Sequence, residues 1–375
     1  MTANNSHIIP NEPTRLEAHN LEELLIHCYN INASDITLQT NSQVMAEIYG
    51  QLYKVTNRQL SNTEMSELLN ALYGPNGTTQ LMSGTDVDTH YEIRPNRNDR
   101  YRYRVNGTAC HVDGHEGIQI TLRTIPSSPP TLASLALPAA VIDAIAPQEG
   151  VVYITGATGS GKSTLLAAIM RKLCEEKNSN RKILTYEAPI EFVYDNVQGE
   201  SAIISQSEIP RNLPSFAAGV RNALRRKPHA ILVGETRDTE TINAVMEAAL
   251  TGHPVYTTLH TNGVSETIRR LVGSFPRDEQ ITRSIDIIET VRLIIWQRLV
   301  PATDGTRVAL REYLIFTEEI RDQLLNCNLD NITATIRALV KKYGQTMVDD
   351  IEKNYKNKLI SERTYEVLMK GCHTE

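Results

Sequence analysis

The chain has 375 residues, 41% hydrophobic and 22% charged, which excludes a disordered or fibrous protein and predicts two or three globular domains. Its formal charge of −6, from 38 Lys and Arg against 44 Asp and Glu, excludes a protein whose main task is to coat nucleic acid by net positive charge. In chain order, residues 1–20 mix Asn, Pro, Glu and Thr without apolar period and read as a mobile lead into the helical LEELLIHCYN. Residues 33–72 offer a strand in ITLQ, a second in VMAEIYGQLYKV around a Gly turn, and a helix whose Ser61 and Glu64 form a capping box. YRYRVNG and IQITLRTI then alternate as strands on either side of the polar turn HVDGHEG, so residues 21–124 read as an α+β domain. The Pro-rich IPSSPPTLASLALP breaks all periodicity, and residues 125–139 are expected to be an interdomain linker.

From residue 140 to 375 the pattern is that of a second domain in which strand and helix alternate, as in a parallel sheet with crossover helices. VVYIT, KILTYE, AILVGE and PVYTTL are short apolar runs suited to strands buried on both faces. LLAAIMRKLCEE, FAAGVRNALRR and ETINAVMEAALTG are amphipathic helices to cover them. From Val300 a hairpin and further helices follow. The five cysteines are scattered without a CxxC pair, which suits a reducing cytoplasm and points to neither a disulfide framework nor a thiolate zinc site. No run approaches the roughly 18–20 apolar residues of a membrane span, and the first residues carry no signal-peptide core, so membrane contact is expected only through partners.

The sharpest signal is GATGSGKS, Gly156 to Ser163, which fits GxxxxGK[ST] and lies between the strand VVYIT and the helix TLLAAIMRKL. Glycines let consecutive backbone N–H groups turn inward around phosphate oxygens, and the helix that follows adds its positive end. Within this loop Gly156, Thr158, Gly159, Ser160, Gly161, Lys162, Ser163 and Thr164 are the candidate nucleotide contacts. Lys162 supplies a point charge for the β and γ phosphates, and the Ser163 hydroxyl is placed to ligate Mg²⁺. Glu235 ends the strand AILVGE at the carboxyl edge, where it holds Mg²⁺ through water or orients the attacking water. TYEAPIEF puts Glu187 and Glu191 on the same edge, one of them as general base. TGHPVYTTLHTN brackets a strand with His253 and His260, the second suited to sense a γ phosphate as neutral imidazole. His111 and His115 sit around a hairpin turn and receive no role.

With GATGSGKST, TYEAPIEF, ILVGETRD and TGHPVYTTLHTN in that order, the chain resembles the secretion ATPases of the type II and type IV secretion and type IV pilus superfamily. The four segments look like its Walker A, aspartate, Walker B and histidine boxes. The likeness runs from SDITLQ to about Glu319. It implies a RecA-like P-loop NTPase domain with a parallel sheet, preceded by a smaller PAS-like α+β domain. It also implies a homo-hexameric cytoplasmic ring, with ATP and Mg²⁺ between the two domains and in touch with a neighbouring subunit. On the matching positions, Glu191 looks like the catalytic glutamate, Glu235 the Walker B acid that with Ser163 serves Mg²⁺, and His260 the residue facing the γ phosphate, with His253 as a lesser partner. Thr164 is expected to support the loop, while Arg102, Arg104 and Arg123 fall where the first domain supplies arginines to phosphate. Without the family those arginines read as the solvated face of an alternating strand.

Departures narrow the branch. Glu187-Ala188-Pro189 stands where relatives read Glu-Asp-Pro, no paired-CxxC zinc insert is present, and EEIRDQLL replaces the AIRNLI-type motif of retraction ATPases. The overall character is nearest the DotB-like ATPases of Dot/Icm type IVB secretion, beside those of IncI-type conjugative plasmids. The expected partners are inner-membrane secretion-complex components that recruit the ring peripherally, with no direct nucleic-acid contact. The competing readings are a pilus retraction ATPase, a nucleic-acid motor using the basic run LRRKPH, and a nucleotide-binding scaffold that does not turn over.

Overall fold

A computed structural model describes residues 7–96, 99–126 and 128–372. The chain divides into two compact units, with the boundary between residues 127 and 128. In the first unit, helix α1 (Ala18–Asn30) precedes strands β1 (Asp35–Gln39), β2 (Met45–Ile48) and β3 (Gln51–Lys54). Helices α2 (Asn62–Tyr73) and α3 (Gly77–Met82) lead to β4 (Val87–Ile93), β5 (Tyr101–Val112) and β6 (His115–Ile125). The six strands form an antiparallel sheet in the order β3-β2-β1-β6-β5-β4. The Ser61 hydroxyl accepts from the Glu64 N–H while the Glu64 carboxylate accepts from the Ser61 N–H, the reciprocal cap expected of that spacing. Tyr49 and Gly50 both take positive φ at the β2–β3 turn, as do Asp113 and Gly114 between β5 and β6, which suits the tight hairpin turns at both places.

Several expectations change here. The lead is packed from residue 7 onward: Ile9 and Leu16 are buried, and the Ile9 N–H donates to the Val55 carbonyl at 2.9 Å. Glu12 accepts from the backbone N–H groups of Asn57 and Arg58, so one polar side chain satisfies a turn that composition alone makes look loose. The turn HVDGHEG shrinks to Asp113-Gly114, because Val112 pairs with His115 and His111 with Glu116 as true strand residues. Strand β4 completes the sheet with a half-buried pattern too weak to predict. The Pro-rich segment is no free tether: Leu132, Leu137 and Val141 enter a core with Leu165, Leu166 and Ile169 of the second unit.

In the second unit, α4 (Ala139–Ala144) precedes β7 (Gly150–Thr155), α5 (Lys162–Glu175), β8 (Lys182–Glu187), β9 (Ile203–Glu208), α6 (Phe216–Leu224), β10 (Ala230–Val233), α7 (Thr239–Leu250) and β11 (Pro254–Leu259). Then come α8 (Val264–Gly273), α9 (Gln280–Thr290), β12 (Val291–Pro301), β13 (Arg307–Ile315), α10 (Glu318–Leu325), α11 (Ile332–Tyr343), α12 (Met347–Lys356) and α13 (Glu362–Cys372). The sheet order is β13-β12-β7-β11-β10-β8-β9, parallel throughout except for the β12–β13 pair. Strands β7, β10 and β11 are buried at every residue because helices cover both faces, which explains why their sequences are apolar apart from the buried Thr155, Thr257 and Thr258. One face is sealed by α5 through Leu165, Ile169, Met170 and Leu173. Each such side chain contributes about 1.5–3 kcal/mol of burial, set against its ordering entropy. The hairpin expected from Val300 begins at Val291 and joins this same sheet beside β7.

Candidate nucleotide site

Adjacent parallel strands deliver their carboxyl ends to one edge, and there the chemistry-bearing residues collect. The loop after β7 turns on Gly156, Gly159 and Gly161, all at positive φ. A Cβ at Gly156 would stand 2.3 Å from the Gln297 carbonyl oxygen and 2.6 Å from Ser160 Oγ, so only glycine closes this turn. Lys162 opens α5 with its ammonium buried, donating to the carbonyls of Gly156 and Ala157 at 2.9 and 2.8 Å. Burial holds its pKa below that of an ordinary lysine, partly offset by Glu235 and Glu191 nearby. Ser160 Oγ is buried in the loop without a hydrogen-bond partner, the mark of a cradle shaped for an absent acceptor. Thr158 and Gly159 are exposed, and Ser163 and Thr164 are half-buried in the first turn of α5.

Glu235 follows β10. Its neighbours fix it: the Gly234 N–H donates to the Tyr186 carbonyl at 2.7 Å, and the Thr236 N–H to the Thr258 carbonyl at 3.0 Å. Its carboxylate meets His260 Nε2 at 3.2 Å and pairs with the exposed Arg237. Burial and then the Lys162 charge depress the His260 pKa against the pull of Glu235, so the imidazole is neutral at physiological pH. A neutral ring donating through Nε2 to Glu235 fits that distance.

Glu187 and Glu191 separate sharply. The Glu187 carboxyl is buried, accepts from Thr185 Oγ1 at 2.6 Å and Gln206 Nε2 at 3.1 Å, and is pushed up to about 7 by burial. Glu191 is exposed and close enough to Lys162 to influence it electrostatically. Gln206 also donates to the Phe192 carbonyl at 2.8 Å, so β9 ties down the loop that carries Glu191. His253, in contrast, precedes β11 and accepts the Gly150 N–H on its own carbonyl, at the opposite end of the sheet. It has no part in this edge, because one strand length separates it from His260.

Two glutamines escape prediction: Gln206, in a half-buried strand of weak pattern, and Gln297, whose side chain donates to the Ser160 carbonyl at 2.7 Å. The available signal for the second is a polar residue, next to Arg298, inside the otherwise apolar run LIIWQRLV. In the first unit, Arg102, Arg104 and Arg123 lie on one face of the sheet, Arg104 directly opposite Arg123 across β5 and β6. Arg104 pairs with Asp88 at 2.8 Å, Arg123 with Asp35 at 2.8 Å and Arg102 with Glu92 at 3.3 Å.

The residues fit a nucleotide with Mg²⁺. Among the described residues no three His, Cys, Asp or Glu cluster as a self-sufficient metal site, whereas one carboxylate and one hydroxyl beside a phosphate cradle are what Mg²⁺ takes when substrate supplies the rest. The sequence pattern of the type II/IV secretion system protein family matches residues 19–346, and the chain belongs to that family of secretion ATPases. It is similar to the X-ray structure of the Legionella pneumophila ATPase DotB, at 61% identity and a TM-score of 0.93, over 98% of this chain and 100% of that one. The Yersinia pseudotuberculosis ATPase DotB matches at 34% identity and 0.89, over 96% of this chain and 95% of its own. The pilus retraction motor PilT with bound ADP matches at 30% and 0.78, over 94% and 96%.

Proposed function

We propose that this chain is the ATPase of a type IVB secretion system, of Dot/Icm or conjugation type, working as a cytoplasmic homo-hexamer recruited to the inner membrane by partner proteins. The observation that carries the reading is the end-to-end likeness to a Legionella ATPase at 61% identity, with an intact phosphate loop. A pilus retraction role is the second reading, supported by the likeness to PilT at 30% identity.

The loop N–H groups and Lys162 bind and orient the triphosphate, and the ammonium leaves the Gly156 and Ala157 carbonyls to meet the β and γ oxygens. Mg²⁺, when bound by Ser163 and Glu235, neutralises charge on those oxygens. Glu191, exposed and near enough to Lys162 to act on it electrostatically, accepts the proton of the attacking water. Neutral His260 donates to Glu235 in the resting site and is positioned to follow the γ phosphate. Arg102, Arg104 and Arg123 complete a neighbour's site, exchanging their carboxylate partners for phosphate.

Two measurements test this reading. Phosphate release should be steady and Lys162-dependent, and chain mass with a non-hydrolysable ATP analogue should rise to that of a hexamer. A chain that binds no nucleotide, or stays monomeric with the analogue and with its membrane partners, refutes it. Restoring effector secretion to a strain lacking its type IVB ATPase, and not twitching to a strain lacking its retraction motor, separates the two readings.

A further inference from the structure

A buried polar relay runs from the phosphate loop into the C-terminal helices. It starts at the Ser160 carbonyl, which accepts from Gln297 Nε2 at 2.7 Å. The other end of the same amide, Gln297 Oε1, accepts from Arg311 Nε at 2.8 Å, the two residues facing each other directly across β12 and β13. These two bonds leave one orientation for the amide, since a flip would set oxygen against oxygen and N–H against N–H. The Arg311 N–H in turn donates to Asp350 Oδ2 at 2.8 Å, on α12, and the guanidinium and carboxylate attract each other. Gln345, two residues before α12, donates to the Arg311 carbonyl at 2.9 Å and bridges Tyr313 through its backbone.

All three side chains are nearly dry: Gln297 is 3% exposed, Arg311 5% and Asp350 6%. Burial lowers Arg311 to about 10 and raises Asp350, so both groups are held against their solvation preference. An apolar trio of the same volume would pack β12, β13 and α12 at no such cost, and the apolar cluster Val300, Leu310, Met347, Ile351, Ile360 and Leu368 already does so. The polar chain therefore contributes direction. It sets a hydrogen bond at one chosen loop carbonyl, beside the point where Gln297's own carbonyl oxygen abuts Gly156.

We propose that Gln297, Arg311 and Asp350 are positioning residues that hold the phosphate loop in its nucleotide-ready turn, so that α12 bears directly on nucleotide affinity. The inference rests on the reading of this loop as the ATP site. Its sharpest test is Gln297→Glu in the full chain, because a carboxylate still accepts from Arg311 but offers Ser160 no donor. The expected result is a rise of about tenfold in KM for ATP and in Kd for a fluorescent ADP, with kcat falling by no more than about threefold, as befits lost ground-state loop order. Asp350→Asn should move the same two constants the same way by about threefold. Arg311→Lys, charged but without the Nε–H at that place, should resemble Gln297→Glu rather than the parent. Nucleotide affinity equal to the parent's in a Gln297→Glu chain that melts normally overturns the proposal. Should that variant fail to fold, Asp350→Asn decides by the same split: a lower active fraction with unchanged KM and Kd marks a purely structural role. Absence of ADP binding by the parent chain would instead sink the ATP reading itself.

Discussion

The two units handle charge in opposite ways. On the sheet face of the first unit, Arg104 and Arg123 each sit in a half-exposed or exposed ion pair, with Asp88 and Asp35. At the carboxyl edge of the second unit, Lys162 is buried and held by two loop carbonyls, and Ser160 Oγ is buried with no partner. Water screens the first set, so its pairs are weak and exchangeable. Low dielectric strengthens the second set, so its unspent donors represent stored affinity for an anion. A phosphate arriving at the loop gains most from groups already dehydrated, whereas an arginine that acts on another copy's ligand, as proposed above, would gain from a pair that releases easily.

The comparison breaks first at the loop. Lys162→Ala removes the buried cation of this loop, and on the proposed reading steady-state phosphate release should fall by about a thousandfold or more. Retention of a tenth of the parent rate would mean that the dry edge is not the catalytic one. Glu191→Gln should cost turnover about a hundredfold while ADP and ATP-analogue titrations stay near the parent values, since the phosphate cradle is untouched. Loss of nucleotide affinity in that variant would reassign Glu191 to the cradle and leave the general base unaccounted for.

What could be foreseen follows the range of the forces involved. GATGSGKS was legible because its glycines answer a local backbone demand, and the buried strands β7, β10 and β11 because helices on both faces favour residues that are apolar or, like Thr155, Thr257 and Thr258, small and β-branched. Strand β9 was not legible: ISQSE is half-buried and polar, and its worth lies in Gln206 reaching a loop some fourteen residues away in sequence. Ile9 and Leu16 belong to no apolar period, so their burial depends on slots made by residues distant in sequence. Gln297 belongs to the same class, a polar residue in a mostly apolar run whose partners come from a loop and a neighbouring strand. His253 and His260 were read together because both flank one strand, and the strand's length puts them at opposite ends.

Glu187 sharpens the contrast by pH. Burial raises its carboxyl from 4.5 to about 7, so the folded chain keeps a proton that the unfolded chain gives up. The folded form is therefore favoured most at acidic pH, and that advantage is lost as pH climbs from about 4.5 through 7. Glu187→Gln retains an oxygen for the Thr185 and Gln206 donors but has nothing to ionise. Its unfolding free energy should exceed the parent's above pH 7 by an amount on the order of 2–3 kcal/mol, with the gap closing toward pH 5. Denaturant midpoints at pH 5 and 8 measure it, and equal gaps at the two pH values would show that the carboxyl is ionised throughout.

The smallest effect is expected on the other unit. The Arg104–Asp88 pair is bidentate, with Nε at 3.2 Å and Nη2 at 2.8 Å, yet its side chains are 38% and 46% exposed. Solvent at that level leaves a pair worth no more than about 1 kcal/mol, so Asp88→Asn should move the thermal midpoint by only a few degrees at most. Turnover is the more telling reading. An arginine that leaves its carboxylate to reach a phosphate must first break this pair, and removing the carboxylate removes that step. Phosphate release by the assembled Asp88→Asn chain should therefore hold steady or rise by up to about twofold, while Arg104→Ala lowers it. A tenfold loss in Asp88→Asn would give the opposite picture, in which the aspartate fixes the guanidinium in its working orientation and the pair is retained through the cycle rather than exchanged.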